Sequence, residues 1–91
     1  MASKTKRKTR WDIYREALGQ ELSCFRVLAF QFRDEASQHA AHYELITSGL
    51  KYALYDGYRT QAYIIIDPEF EAQIRAFFAP LGQEIQPCLD L

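Results

Sequence analysis

Apolar side chains recur along this chain in two rhythms, and the switches between them delimit the elements. Trp11, Tyr14, Leu18 and Leu22 fall at helical spacing. Thr9 and Asp12 stand ahead of them at capping-box spacing, with Asp where Glu or Gln is usual, and together they predict a helix over residues 10 to 20. From Leu22 to Arg33 the pattern changes to Phe25, Val27, Phe30 and Phe32, apolar in both parities, which predicts a central strand buried on both faces. Asp34 caps a predicted helix over residues 35 to 48 that Gly49 stops, with Ala36, His39, Ala40, Tyr43 and Ile46 as its expected inner face. Leu50 to Tyr55 and Tyr58 to Ile66 are strand-like, and Asp56-Gly57 between them is a favoured two-residue hairpin turn. Asp67-Pro68 opens another helix, carrying the stripe Phe70, Ile74, Phe77 and Leu81 and ended by Pro80 with Gly82. Glu84 to Leu91 then alternates as a strand. Pro87 places that strand at an edge, because proline donates no ladder hydrogen bond.

The predicted order after the leading helix is β-α-β-β-α-β. With right-handed crossovers this gives an α+β, two-layer sandwich whose antiparallel sheet runs in the order 4-1-3-2, with both helices on one face. This topology resembles the ferredoxin-like arrangement, a likeness of element order that implies no function. The face away from the two helices is expected to be apolar. Cys24, Arg26, Leu28, Phe30 and Phe32 are assigned to it from the first strand, Tyr63 and Ile65 from the third, and the polar set Glu84, Gln86, Cys88 and Asp90 from the last. A surface this apolar needs a cover, either the Trp11/Tyr14/Leu18 helix or a second subunit. The expected partner interface is therefore Trp11, Tyr14, Leu18, Phe30, Phe32 and Tyr63.

At 91 residues the chain forms one domain, and 48% hydrophobic residues are enough for a core. No unbroken apolar run, Tyr63–Ile66 included, is long enough to cross a bilayer. No apolar stretch of the secretory type follows Arg10, so a cytoplasmic location is expected. Charge is sharply partitioned. Lys4, Lys6, Arg7, Lys8 and Arg10 are five of the eleven basic residues, whereas all twelve acidic residues lie at Asp12 or later, leaving a body of net −6. Residues 1 to 9 are expected to form a disordered basic arm, and that arm is the one place where nucleic acid would be attracted.

The chemistry on offer is sparse. His39 and His42 stand three residues apart on one helix flank beside Tyr43, two imidazoles where zinc sites use three or four ligands. The expectation is that His39 is packed and His42 partly solvated, with a ligand or catalytic role for His39, His42 and Tyr43 as the weaker alternative. Cys24 and Cys88 belong to no Cys/His cluster and are expected as small buried hydrophobes, although the strand assignment above places them close together. Asp34-Glu35 and the acids after Asp67 sit at helix starts, where they offset the macrodipole. No phosphate-loop, dinucleotide, nucleophile-elbow or zincin pattern occurs. The segment Tyr58–Ile64 lacks the Gly-aromatic signature of RNA-recognition motifs. The expected function is a non-enzymatic protein-interaction or regulatory module without cofactor or metal, dimeric through its open sheet face or an edge strand. The alternative is a nucleic-acid accessory protein acting through the basic arm.

Overall fold

A computed structural model of the chain describes residues 8–89. The leading helix α1 spans Arg10–Leu18, and its capping box is complete: the Asp12 N–H donates to Thr9 Oγ1 and the Thr9 N–H donates to Asp12 Oδ2. A short 3₁₀ turn, Leu22–Cys24, precedes β1 (Arg26–Gln31), so the strand starts later than its composition suggested. Helix α2 occupies Glu35–Ser48. The Asp34 carboxylate accepts from the Ser37 N–H, and Gly49 closes the helix at φ 80°, a conformation costly for a residue with a Cβ. Strands β2 (Leu54–Tyr58) and β3 (Gln61–Ile66) follow. Asp67 caps a 3₁₀ turn, Pro68–Phe70, that runs into α3 (Glu71–Phe78), and the short β4 (Gln83–Ile85) closes the sheet. Pro87 lies just beyond β4, which is an edge strand as expected.

The protein is α+β, with three helices around a four-stranded antiparallel sheet in the order β2-β3-β1-β4. One turn differs from expectation. Asp56 and Gly57 lie inside β2, paired with Tyr63 and Ala62, and the chain reverses at Arg59-Thr60 instead. The energetic reason lies in what each register buries. A turn at Asp56-Gly57 would set Lys51 opposite Ala62, which is fully buried, whereas the observed register sets glycine there and leaves Lys51 exposed. Arg59 then adopts φ 57°, a left-handed conformation worth about 1 kcal/mol of strain. Keeping an ammonium out of the core outweighs that cost.

Two apolar clusters sandwich the sheet. Leu28, Phe30 and Phe32 of the β1 segment join Ala62, Ile64 and Ile66 of β3 beneath Ala41 and Leu45 of α2 and Ile74 and Phe78 of α3. On the other face, Ala29, Tyr63 and Ile65 meet Tyr14 and Leu22, with Trp11, Leu18, Phe25, Val27, Ile85 and Leu89 packed around them. The expected parity of β3 therefore holds, but those of β1 and β4 are inverted. Phe30 and Phe32 point toward α2 and α3, and Phe25 and Val27 point toward α1. Ala29 pairs with Ile85 and Phe30 with Glu84, so the two inversions are a single event: one shared register carries both strands. Phe30 and Phe32 take the side where two helices, α2 and α3, pack on the sheet. Helix α1 closes the remaining face within the same chain, latched at two points. Tyr14 Oη donates to Asp56 Oδ2 at 2.6 Å, and the Trp11 N–H donates to the Leu89 carbonyl at 3.1 Å.

Candidate functional site

With both sheet faces covered, the longest stretch of strand backbone left without a partner among the described residues is the outer edge of β2. This strand is hydrogen-bonded only to β3, so its outer backbone edge faces no other strand among the described residues. Edge strands in stable monomers are usually shortened, charged or broken by proline. The opposite edge follows that rule: β4 has three residues, Glu84 on it is gripped by Arg75 at 2.9 Å and 3.0 Å, and Pro87 follows. The β2 edge does not follow it. Its five residues include no proline, and their single charge, Asp56, is turned to Tyr14 and to Arg10, 3.8 Å away.

Helix α2 lies along this rim and presents apolar side chains on two sides. Its inner side is Gln38, Ala41 and Leu45, not the stripe from Ala36 to Ile46 that the periodicity suggested. Both stripes have helical spacing, and the choice turns on Gln38, which is 2% exposed yet satisfied: its Nε2 donates to the Arg59 carbonyl and its Oε1 accepts from Tyr55 Oη at 2.8 Å. A buried amide with both ends paired costs little, so polarity did not exclude it from the core. Tyr43 (69% exposed) and Ile46 (56%) are left outside, and Tyr58 (58%) stands at the end of β2. At 100° per residue, His39 and Ile46 fall on the flank that His42 marks, and His42 stacks on Tyr55 of β2. That flank is therefore tied to β2.

The two histidines exchange their expected roles. His39 is exposed, with Glu35 3.9 Å away, whereas His42 is half-buried, its ring parallel to Tyr55 within 3° at a centroid distance of 3.8 Å. Burial, and secondarily the neighbouring His39, hold the His42 imidazole below its ordinary pKa of 6.5. The folded state therefore prefers neutral His42. This stabilisation is fully present above about pH 6.5 and is lost as pH falls through the lowered folded value. Urea unfolding of the native chain and of His42→Phe between pH 7.5 and 5 is expected to show a steeper loss of stability in the native chain; parallel curves would contradict the assignment. Among the described residues no group of three or more His, Cys, Asp or Glu side chains could hold a metal ion.

Comparison with protein-family models, with curated proteins and with solved structures returned no match. The site is therefore defined by geometry alone.

Of the other residues singled out in the sequence, Tyr14, Phe30, Phe32 and Tyr63 are buried within the chain, and Trp11 and Leu18 of α1 are half-buried against the sheet. Cys24 and Cys88 are exposed free thiols, one in the 3₁₀ turn and one beyond β4, rather than buried neighbours on paired strands. The expected arm of residues 1 to 9 meets the described chain at its end. Lys8 reaches Glu16 at 2.8 Å, and Thr9 is the cap of α1. Arg10 lies over the Tyr63 ring, 4.3 Å from its centroid. Two of the five cations proposed for phosphate contact are thus engaged internally, and Lys4, Lys6 and Arg7 lie outside the described residues. Periodicity alone did not mark Tyr58 and Ile46 as surface groups or Gln38 as the organiser of the rim. A helix with apolar residues all round, as α2 has, was the available signal, since such helices are covered on more than one side.

Proposed function

We propose that this chain is a non-enzymatic protein-interaction or regulatory module that forms a homodimer through the outer edge of β2. Antiparallel pairing of β2 with its twin about a two-fold axis normal to the sheet would join two four-stranded sheets into one. The same axis brings the two α2 helices side by side and covers Ile46 and the neighbouring Tyr43, two of the four large apolar side chains, with Ile13 and Tyr58, that the described residues leave exposed. The observation that carries this reading is the coincidence of an unguarded five-residue edge with the α2 flank of His39, His42 and Ile46, which His42 ties to β2 and on which Ile46 is exposed. The element order and sheet order are those of the ferredoxin-like sandwich, to which we assign the fold, with α1 as an added cover. A cytoplasmic location accords with two exposed unpaired thiols, which persist in reducing compartments.

Size-exclusion chromatography with light scattering at about 100 μM is expected to give twice the mass of the chain, since interfaces of this kind commonly hold at micromolar affinity. Tyr43→Lys combined with Ile46→Lys is expected to yield a folded monomer, because both side chains are exposed and their replacement leaves the core intact. A native chain that elutes as a monomer, or a double variant that remains dimeric, would remove the proposal.

A further inference from the structure

At the end of the sheet away from the Arg59 turn, the approach to β2, the start of β1 and the 3₁₀ turn before α3 border a cleft of about 160 Å³ that is open to solvent on one side. Three of its walls are aromatic: Phe25, Tyr52 and Phe70. Ala53 lines it as well, and two opposite charges, Lys51 and Asp67, complete the lining. The Lys51 ammonium lies 6.0 Å from the centroid of the Phe70 ring, at the limit of cation–π contact. Although they share so small a space, Lys51 and Asp67 are not joined in an ion pair, and neither pairs with any other described residue. One Asp67 oxygen caps the following turn by accepting from the Glu69 N–H at 3.1 Å, which leaves the second for another donor.

We infer that this cleft binds a free α-amino acid with an aromatic or large aliphatic side chain. Each feature answers one part of such a ligand. A cavity of about 150 Å³ lined by apolar groups is large enough for a benzene ring, so a benzyl side chain fits among the three aromatic rings. The carboxylate finds Lys51 and the ammonium finds Asp67. A ligand bearing both charges satisfies two groups that the protein leaves apart, whereas a purely anionic or cationic one would meet a like charge within the same cleft. Ligand pockets generally have this composition, an apolar lining with a few polar groups that fix orientation. The inference stands apart from the dimer proposed above, because none of the six lining residues belongs to the α2 flank, and Ala53 precedes the first paired residue of β2.

Titration of the ¹⁵N-labelled full chain with L-phenylalanine, followed by amide chemical shifts, tests it. Saturable shifts are expected at Phe25, Lys51–Ala53 and Asp67–Phe70, with a dissociation constant of about 1 mM for so small a ligand. N-acetyl-L-phenylalanine lacks the ammonium and L-phenylalanine methyl ester lacks the carboxylate. Each is expected to bind about tenfold more weakly or worse, and Lys51→Met and Asp67→Asn to weaken the parent ligand similarly. Asparagine preserves the cap, and the ligand analogues test the same point on the unaltered chain. Absence of saturable shifts up to about 20 mM would overturn the inference, since that exceeds the expected constant many times over. Binding of either analogue as tightly as L-phenylalanine would also overturn it, by reducing the site to an apolar cleft.

Discussion

Phe78→Ala is expected to destabilise the chain by about 3–5 kcal/mol, the usual cost of truncating a buried phenylalanine. Phe78 is fully buried near the end of α3 and is the hub of an aromatic group. It stacks on Phe30 at 4.8 Å and meets Phe32 at 6.1 Å and Phe77 at 5.0 Å, both edge-on. Removing it strips Phe30 and Phe32 of their common partner and opens a void between α3 and the sheet. A domain of this size has about 5–15 kcal/mol in total, so most of its stability is at stake. The prediction also tests the inverted β1 parity. Were Phe30 and Phe32 on the α1 face, Phe78 would lose far less on truncation. Urea denaturation that finds a cost below about 1 kcal/mol would refute the packing described here.

Gly57→Ala is expected to cost about 2 kcal/mol, and Gln38→Ala in the same chain to recover much of that loss. A Cβ at position 57 would stand 2.5 Å from Gln38 Oε1 and 2.9 Å from its Cδ and Nε2. The glutamine is held on both sides, by Tyr55 Oη and by the Arg59 carbonyl, so it yields only by giving up those bonds. The cycle separates two accounts of Gly57. If Asp56-Gly57 were a hairpin turn, alanine would suffer from backbone strain, which no change at Gln38 could relieve. In the observed strand Gly57 has no positive φ, and the penalty is steric. Thermal or urea unfolding of the two single variants and the double variant yields the coupling; strict additivity would contradict the steric account.

These two sites also show where the sequence was legible. Local rules that depend on a few adjacent residues worked: the Thr9/Asp12 capping box, the Asp34 cap with its Gly49 stop, and the Asp67-Pro68 start all stand where their chemistry placed them. So did the central position of the Phe25–Phe32 segment and the order of the sheet, because apolar residues of both parities in β1 and β3 leave no exposed face to put outward. Failures came wherever two local answers were equally good and a distant residue decided between them. The strand β1 is apolar on both sides, so nothing within it distinguishes the α1 face from the α2–α3 face. Helix α2 carries two apolar stripes, and Gln38 made the correct one appear polar until Tyr55 and Arg59 supplied its partners. Asp56-Gly57 is a strong turn signal that lost to the exclusion of Lys51 from the core. The candidate surface was hidden for the same reason. Tyr43 and Ile46 look like core residues in isolation, and only the occupied inner face of α2 reveals that they are surplus.

The most direct test of the proposed assembly is an isotope-filtered NOE experiment on an equimolar mixture of labelled and unlabelled chain. Cross-peaks between copies are predicted among backbone protons of Leu54–Tyr58 and between the side chains of Tyr43 and Ile46 on the two α2 helices. Absence of such cross-peaks, or cross-peaks that arise from β4 or from α1 instead, would contradict the β2-edge dimer.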